Sequence, residues 1–241
     1  MRQTRRGDDI QGISSSSVFN PSTETRRKVT LTFDNGPTPE VTPYVLDCLA
    51  QHEVKATFFV VGRKASSAEG LPLVQRASRE GHLIGNHTYT HTTPLGELSR
   101  EGALQEFERA EQALTWLRQP RRLFRPYARA GGLGPHLLHP AVIDRLQAGG
   151  YWCVLWNCVP GDWRDPDGWM SKALADCRSR PWSLVVLHDL PSGAMKHLDQ
   201  FIRALRDDGM ELTQDYPPEC VPIRDGRILQ PMDQYVAEAP L

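Results

Sequence analysis

The sequence predicts an α/β fold, a single distorted β/α barrel with about seven parallel strands. Three observations carry this. Strand-like and helix-like segments alternate from Lys28 to Thr213 with short connections, which implies parallel strands and right-handed crossovers. Ala56–Val61 (ATFFVV) is a continuous apolar run, as expected for a strand buried on both faces. The chain has 241 residues, a size that suits one barrel domain. A doubly wound open sheet is the alternative arrangement.

In chain order the strands are expected at Lys28–Phe33, Ala56–Val61, His82–Gly85, Leu123–Phe124, Tyr151–Trp156, Ser183–Leu187 and Glu211–Thr213. Helices are expected between them, from about Glu40 to Gln51, Leu73 to Glu80, Pro140 to Gln147, Gly168 to Cys177 and Met195 to Asp207. The longest runs from about Leu98 to Leu117, and its spacing turns Phe107, Leu114 and Leu117 inward. Residues 1 to 26 are polar and Ser-rich and are expected to form a tail or a strap. Residues 27 to 241 form the domain.

Lys and Arg total 28 against 29 Asp and Glu, a net charge of −1. That balance offers no electrostatic footprint for nucleic acid or an anionic membrane. No apolar run approaches the roughly 18 residues of a transmembrane helix, and no signal-like apolar segment follows the N-terminus, so a cytoplasmic location is expected. The five cysteines are odd in number and contain no C-x-x-C pair, as expected of reduced, buried thiols.

Asp34, His87, Arg125, Asp162 and His188 each fall just beyond the C-terminal end of an expected strand. In a parallel barrel these ends share one rim, where active sites are built. His87 and His91 stand at i and i+4 and could present both imidazoles to one divalent cation. They could equally be two solvated loop histidines. Asp34-Asn35-Gly36-Pro37 reads as a turn that fixes two side chains at a strand end, or as an ordinary strand exit. His188 suits a general acid or base at the mouth of an apolar strand, with Asp162 to orient it and Trp163 to wall the pocket. It also reads as a satisfied core histidine. Arg125 could clamp a carboxylate such as Asp34, or lie on the surface before a turn.

These segments, in this order, resemble the polysaccharide deacetylase family. Thr32-Phe33-Asp34-Asn35-Gly36-Pro37 is similar to its first motif, T-F-D-D-G-P. His87-Thr88-Tyr89-Thr90-His91 matches the second, H-[ST]-x-x-H, and Phe124-Arg125-Pro126-Tyr127 looks like a shortened third. Asp162-Trp163 matches the end of the fourth, and Val186-Leu187-His188 the fifth. The resemblance spans Lys28 to Thr213. It implies that Asp34 is the general base, that Arg125 orients it, and that His188, positioned by Asp162, protonates the leaving amine. It also implies that the backbone N–H of Tyr127 helps to hold the oxyanion. His87, His91 and residue 35 would bind a divalent metal ion, zinc ahead of cobalt, nickel or manganese.

Two departures stand out. Residue 35 is Asn where the family carries a carboxylate ligand, so the donor is neutral and should hold a cation less strongly. Tyr127 stands where the second Pro is usual, and Arg129-Ala130-Gly131-Gly132 suggests a rearranged loop. The implied function is metal-dependent hydrolysis of a non-peptide amide, N-deacetylation of an amino sugar in a small-molecule or oligosaccharide substrate. Trp152, Trp163 and Trp169 are candidate sugar-stacking surfaces. A cyclic amide or imide hydrolase and a catalytically impaired carbohydrate-binding homologue are the two alternatives.

Overall fold

The computed structural model describes residues 26–238; the Ser-rich segment of the expected tail lies outside them. Seven parallel strands form a curled sheet: β1 (Lys28–Asp34), β2 (Thr57–Val60), β3 (Leu83–Asn86), β4 (Arg122–Phe124), β5 (Tyr151–Cys153), β6 (Trp182–His188) and β7 (Glu211–Thr213). The order around the sheet is β6-β1-β2-β3-β4-β5, with β7 pairing the first half of β1. Past β5 the chain returns to β6 through one isolated bridge, Cys158 to Val185, with hydrogen bonds of 3.2 and 2.9 Å. The expected β/α barrel is therefore present, and it closes at a seam rather than by a full ladder. A short antiparallel hairpin, β8 (Ile223–Arg224) and β9 (Arg227–Ile228), extends the sheet beyond β5. Its two-residue strands had no legible period.

Helices α1 (Thr42–Gln51), α2 (Gly62–Ala65), α3 (Gly70–Arg79), α4 (Arg100–Ala113), α5 (Pro140–Ala148), α6 (Trp169–Ser179) and α7 (Leu198–Asp207) accompany the strands. None is long and apolar enough to cross a membrane. The expected helix 98–117 is shorter because Ser99 caps it, its side chain accepting from Gly102 N–H at 3.2 Å. Phe107 and Leu114 do face the core, and Leu117 packs partly against it. The segment from Met195 begins as a 3-10 turn before α7.

Strand side chains alternate between two faces, and β1 shows what this does. Val29, Leu31 and Phe33 pack outward in a cluster with Val45, Leu49 and Phe201 of α1 and α7. Thr32 and Asp34 have the opposite parity, and both reach the Arg125 guanidinium. Asp34 and His188 are register partners at the ends of β1 and β6. His87 and Arg125 continue the rim, their amides bonding to Val60 O and Asn86 O of the preceding strands. Asp34, His87, Arg125 and His188 thus stand along one rim because the ladders place them there, and Asp162 joins them from a loop by its hydrogen bonds to His188.

Candidate active site

Asp34 is buried, and Arg125, which is fully buried, donates to it from Nη1 at 2.8 Å. The same nitrogen reaches Thr32 Oγ1 at 2.7 Å, while Nε and Nη2 donate to the carbonyls of Val154 and Leu155. The guanidinium also lies over the Phe59 ring, 4.0 Å from its centroid. With the guanidinium fixed by these contacts, its single bond to Asp34 Oδ1 directs the carboxylate. Thr32, which sequence reasoning overlooked, is the second residue of the fork's carboxylate side and is itself tied to Val185 O at 2.8 Å.

The adjoining turn is equally constrained. Asn35 adopts a left-handed backbone (φ 74°), which Asn tolerates better than most residues. Gly36 follows it against the buried side chain of Asp189: a Cβ there would lie 2.1 Å from Asp189 Oδ2. Lys64 donates to Asn35 O at 2.7 Å from the other side. The Asn35 Oδ1 atom is buried and has no hydrogen-bond partner.

His87 is buried, and its Nδ1 bonds to Arg125 O at 2.8 Å, which fixes the tautomer and leaves Nε2 as an acceptor 3.7 Å from Asp34 Oδ2. The His91 ring lies 4.7 Å from that of His87 and packs on Tyr127 at 3.9 Å. Burial pushes His87 down to about 3, and burial with the neighbouring His87 pushes His91 down to about 2. Both are neutral imidazoles near pH 7, the protonation state of a metal ligand. Among the described residues no three His, Cys, Asp or Glu side chains cluster to hold an ion. The third donor here would be the amide of residue 35. Two neutral imidazoles, one held by a backbone carbonyl, and an orphaned amide oxygen fit a divalent cation as a donor set.

Across the rim, His188 Nδ1 bonds to Asp162 Oδ1 at 2.8 Å, and the His188 amide donates to Asp162 Oδ2 at 2.9 Å. Burial pulls His188 down, but the Asp162 hydrogen bond and the charges of Asp162, Asp34 and Asp189 outweigh it, so its pKa is raised above the ordinary value. Trp163 packs edge-on against His188, ring centroids 4.6 Å apart. Beside the histidine pair lies a cleft of about 30 Å³ lined by Asp34, His87, His91, Tyr127, Trp156 and Val186 among others. The rearranged loop after Pro126 borders it, with Ala130 and Gly131 both left-handed. Two of the expected sugar-stacking tryptophans are elsewhere. Trp169 is fully buried against Phe201, and Trp152 packs on Tyr216 with its N–H on Asp225. Their apolar bulk was needed in the core.

Three buried histidines make the fold acid-sensitive, and one buried carboxyl opposes them. His82 is pushed down to about 4, mainly by burial, and joins His87 and His91 as a histidine kept neutral when folded. Below their ordinary value of 6.5 the unfolded chain takes up protons that the folded chain refuses, so stability falls with pH. Burial pushes Asp189 up to about 7, which acts oppositely: its contribution is complete below about 4 and lost as pH rises through 7. At pH 5 three groups oppose one, and the net two protons correspond to about 3 kcal/mol lost per pH unit on acidification. Urea unfolding of the metal-free protein at pH 7, 6 and 5 should show this; a midpoint that holds or rises toward pH 5 would contradict it.

Asp34, His87 and His91 line this cleft, and His188 is the register partner of Asp34 on the adjoining strand. The polysaccharide deacetylase family profile matches residues 22–130. A chitooligosaccharide deacetylase of Bradyrhizobium sp. is 35% identical over 74% of this chain and 81% of its own length. A peptidoglycan-N-acetylglucosamine deacetylase of Bacillus cereus is 32% identical over 76% of this chain, and the match spans 65% of that protein's length. The solved structure of a peptidoglycan N-acetylglucosamine deacetylase superposes with a TM-score of 0.65 at 30% identity, covering 83% of this chain and 90% of that one. The chain belongs to the polysaccharide deacetylase family.

Proposed function

We propose that the protein is a metal-dependent N-deacetylase that removes acetyl groups from N-acetylglucosamine units of an oligosaccharide or glycan strand. The observation that carries this is the pairing of an Arg-fixed carboxylate, Asp34, with an Asp-fixed imidazole, His188, on adjacent strands. Asp34 takes the proton of the attacking water. Arg125 keeps its carboxylate aimed. His188, its Nδ1–H held by Asp162, acts as the imidazolium and delivers its Nε2 proton to the departing amine. The backbone N–H of Tyr127 steadies the oxyanion, and Trp163 walls the leaving-group side. A divalent cation held by His87, His91 and Asn35, zinc in the first instance with cobalt, nickel or manganese as substitutes, would polarise the amide carbonyl. The relatives named for chitooligosaccharide and for peptidoglycan N-acetylglucosamine support this substrate class.

The test is acetate release from chitooligosaccharides and from peptidoglycan glycan strands, with each metal supplied in turn. Release that depends on added metal and is lost in Asp34→Asn is expected. Hydrolysis of a cyclic imide without acetate release would replace this reading with the cyclic-amide one. Asn35 favours a second reading, in which the protein binds carbohydrate but its metal site is impaired. Asn35→Asp separates the two. With a charged oxygen in place of a neutral one, metal should bind more tightly. Activity should rise at trace metal and be unchanged or slower at saturation. Metal-titration curves identical for both proteins would place residue 35 outside the shell. Activity appearing only in the variant would favour the impaired reading.

A further inference from the structure

We propose that Glu106, on the outer helix α4, is the positioning residue that sets the geometry of the two-histidine loop. The proposal rests on the reading of His87 and His91 as metal ligands. After His87 the chain leaves the ladder, and the loop to His91 has no regular structure of its own. Two of its residues, Thr88 (φ 64°) and His91 (φ 57°), are left-handed without being glycine. Such conformations persist only where surrounding contacts over-determine them.

Those contacts converge on α4. The amides of Tyr89 and Thr90 both donate to Glu106 Oε2, at 3.1 and 2.8 Å, and the Thr90 hydroxyl donates to Oε1 at 2.8 Å. One carboxylate therefore accepts three charge-assisted bonds from two consecutive residues between the histidines. The preceding amide, that of Thr88, donates to Asn86 Oδ1 at 2.9 Å. Asn86 is itself held from α4, its Nδ2 donating to Glu111 Oε1 at 2.7 Å and Phe107 O at 3.1 Å. The loop's carbonyls are taken up on the opposite side, Thr88 O by Gly62 N–H and Tyr89 O by Arg63 N–H. Arg109, one turn along α4, stacks on the Tyr89 ring at 3.8 Å.

Every amide from residue 88 to 90 thus ends on a side chain. Glu106 touches neither histidine but fixes the backbone from which His91 projects. A group that orients metal ligands in this way typically changes affinity by about 10–100-fold when lost. In Glu106→Gln, one of the two acceptor oxygens becomes an NH₂ donor, which cannot accept the bonds that the carboxylate took. The variant keeps the size of the side chain and the helix propensity, so α4 should remain folded.

The experiment compares wild type, Glu106→Gln and, as a control on the same helix, Glu108→Gln. Cobalt and zinc affinities are measured by equilibrium dialysis, the cobalt visible spectrum is recorded, and the imidazole tautomers of the metal-free proteins are read by long-range proton–nitrogen NMR. Glu106→Gln should bind cobalt at least 10-fold more weakly with an altered spectrum, and its His91 ring signals should broaden or average, with Glu108→Gln like wild type. Unchanged affinity and spectrum would overturn the proposal, even if the melting temperature fell, because a purely structural carboxylate affects only the latter. Should wild type bind neither metal, the metal reading fails by itself. The NMR comparison still decides Glu106: identical imidazole signals in wild type and Glu106→Gln overturn its positioning role.

Discussion

His188→Ala is expected to lower kcat by about 10²–10⁴-fold, with a much smaller change in KM. A general acid acts as the amine departs, after the substrate is bound, so its removal leaves ground-state contacts largely intact. The raised pKa of His188 gives this an independent signature in the pH profile. The protonated form is the active one, so kcat should hold through neutrality and fall as pH rises past the raised value. In Asp162→Asn the charge that raises it is removed and the hydrogen bond becomes a neutral, weaker one, so that alkaline limb should move to lower pH. Measuring kcat from pH 5 to 10 for the three proteins checks this. Full activity of His188→Ala across that range would remove the assignment.

The second large effect is on stability. Arg125→Met should cost about 3–5 kcal/mol, since it leaves the Asp34 carboxylate buried without its counter-charge. It also strips two carbonyls, those of Val154 and Leu155, of donors. If the uncompensated charge is the main cause, Asp34→Asn introduced into Arg125→Met should restore part of the loss, a coupling that a double-mutant cycle isolates. Urea unfolding at pH 7 gives all four values. A loss below about 1 kcal/mol in the single variant would mean that solvent reaches Asp34 and does the work assigned to Arg125.

The rim was legible in the sequence because its residues announce themselves locally. Asp34 sits between an apolar strand and a Gly-Pro turn, and His188 ends the run Leu184-Val185-Val186-Leu187. Parallel strands then convert distant positions into neighbours without further information. What supports the rim was not legible. The sequence does not single out Glu106 or Asp189, and Thr32 enters only as part of a motif; their roles rest on contacts made after folding. The hairpin β8–β9 was hidden because its two-residue strands are too short to leave a period, and the seam at Cys158 because its single bridge depends on Val185, a partner remote in sequence.

That seam has a mechanical consequence. The spacing of proton acceptor and proton donor is fixed by β1 and β6, seven residues paired in register along their whole length. The opposite side of β6 is joined to the segment after β5 by one bridge, and the loop bearing Asp162 and Trp163 hangs just beyond it. Backbone pairing is therefore thinnest in this one wall, where the side chains of Asn157 and Asp162 take over from the ladder. Substrates of different girth would be accommodated by flexing that wall, while the distance that the chemistry depends on stays constant.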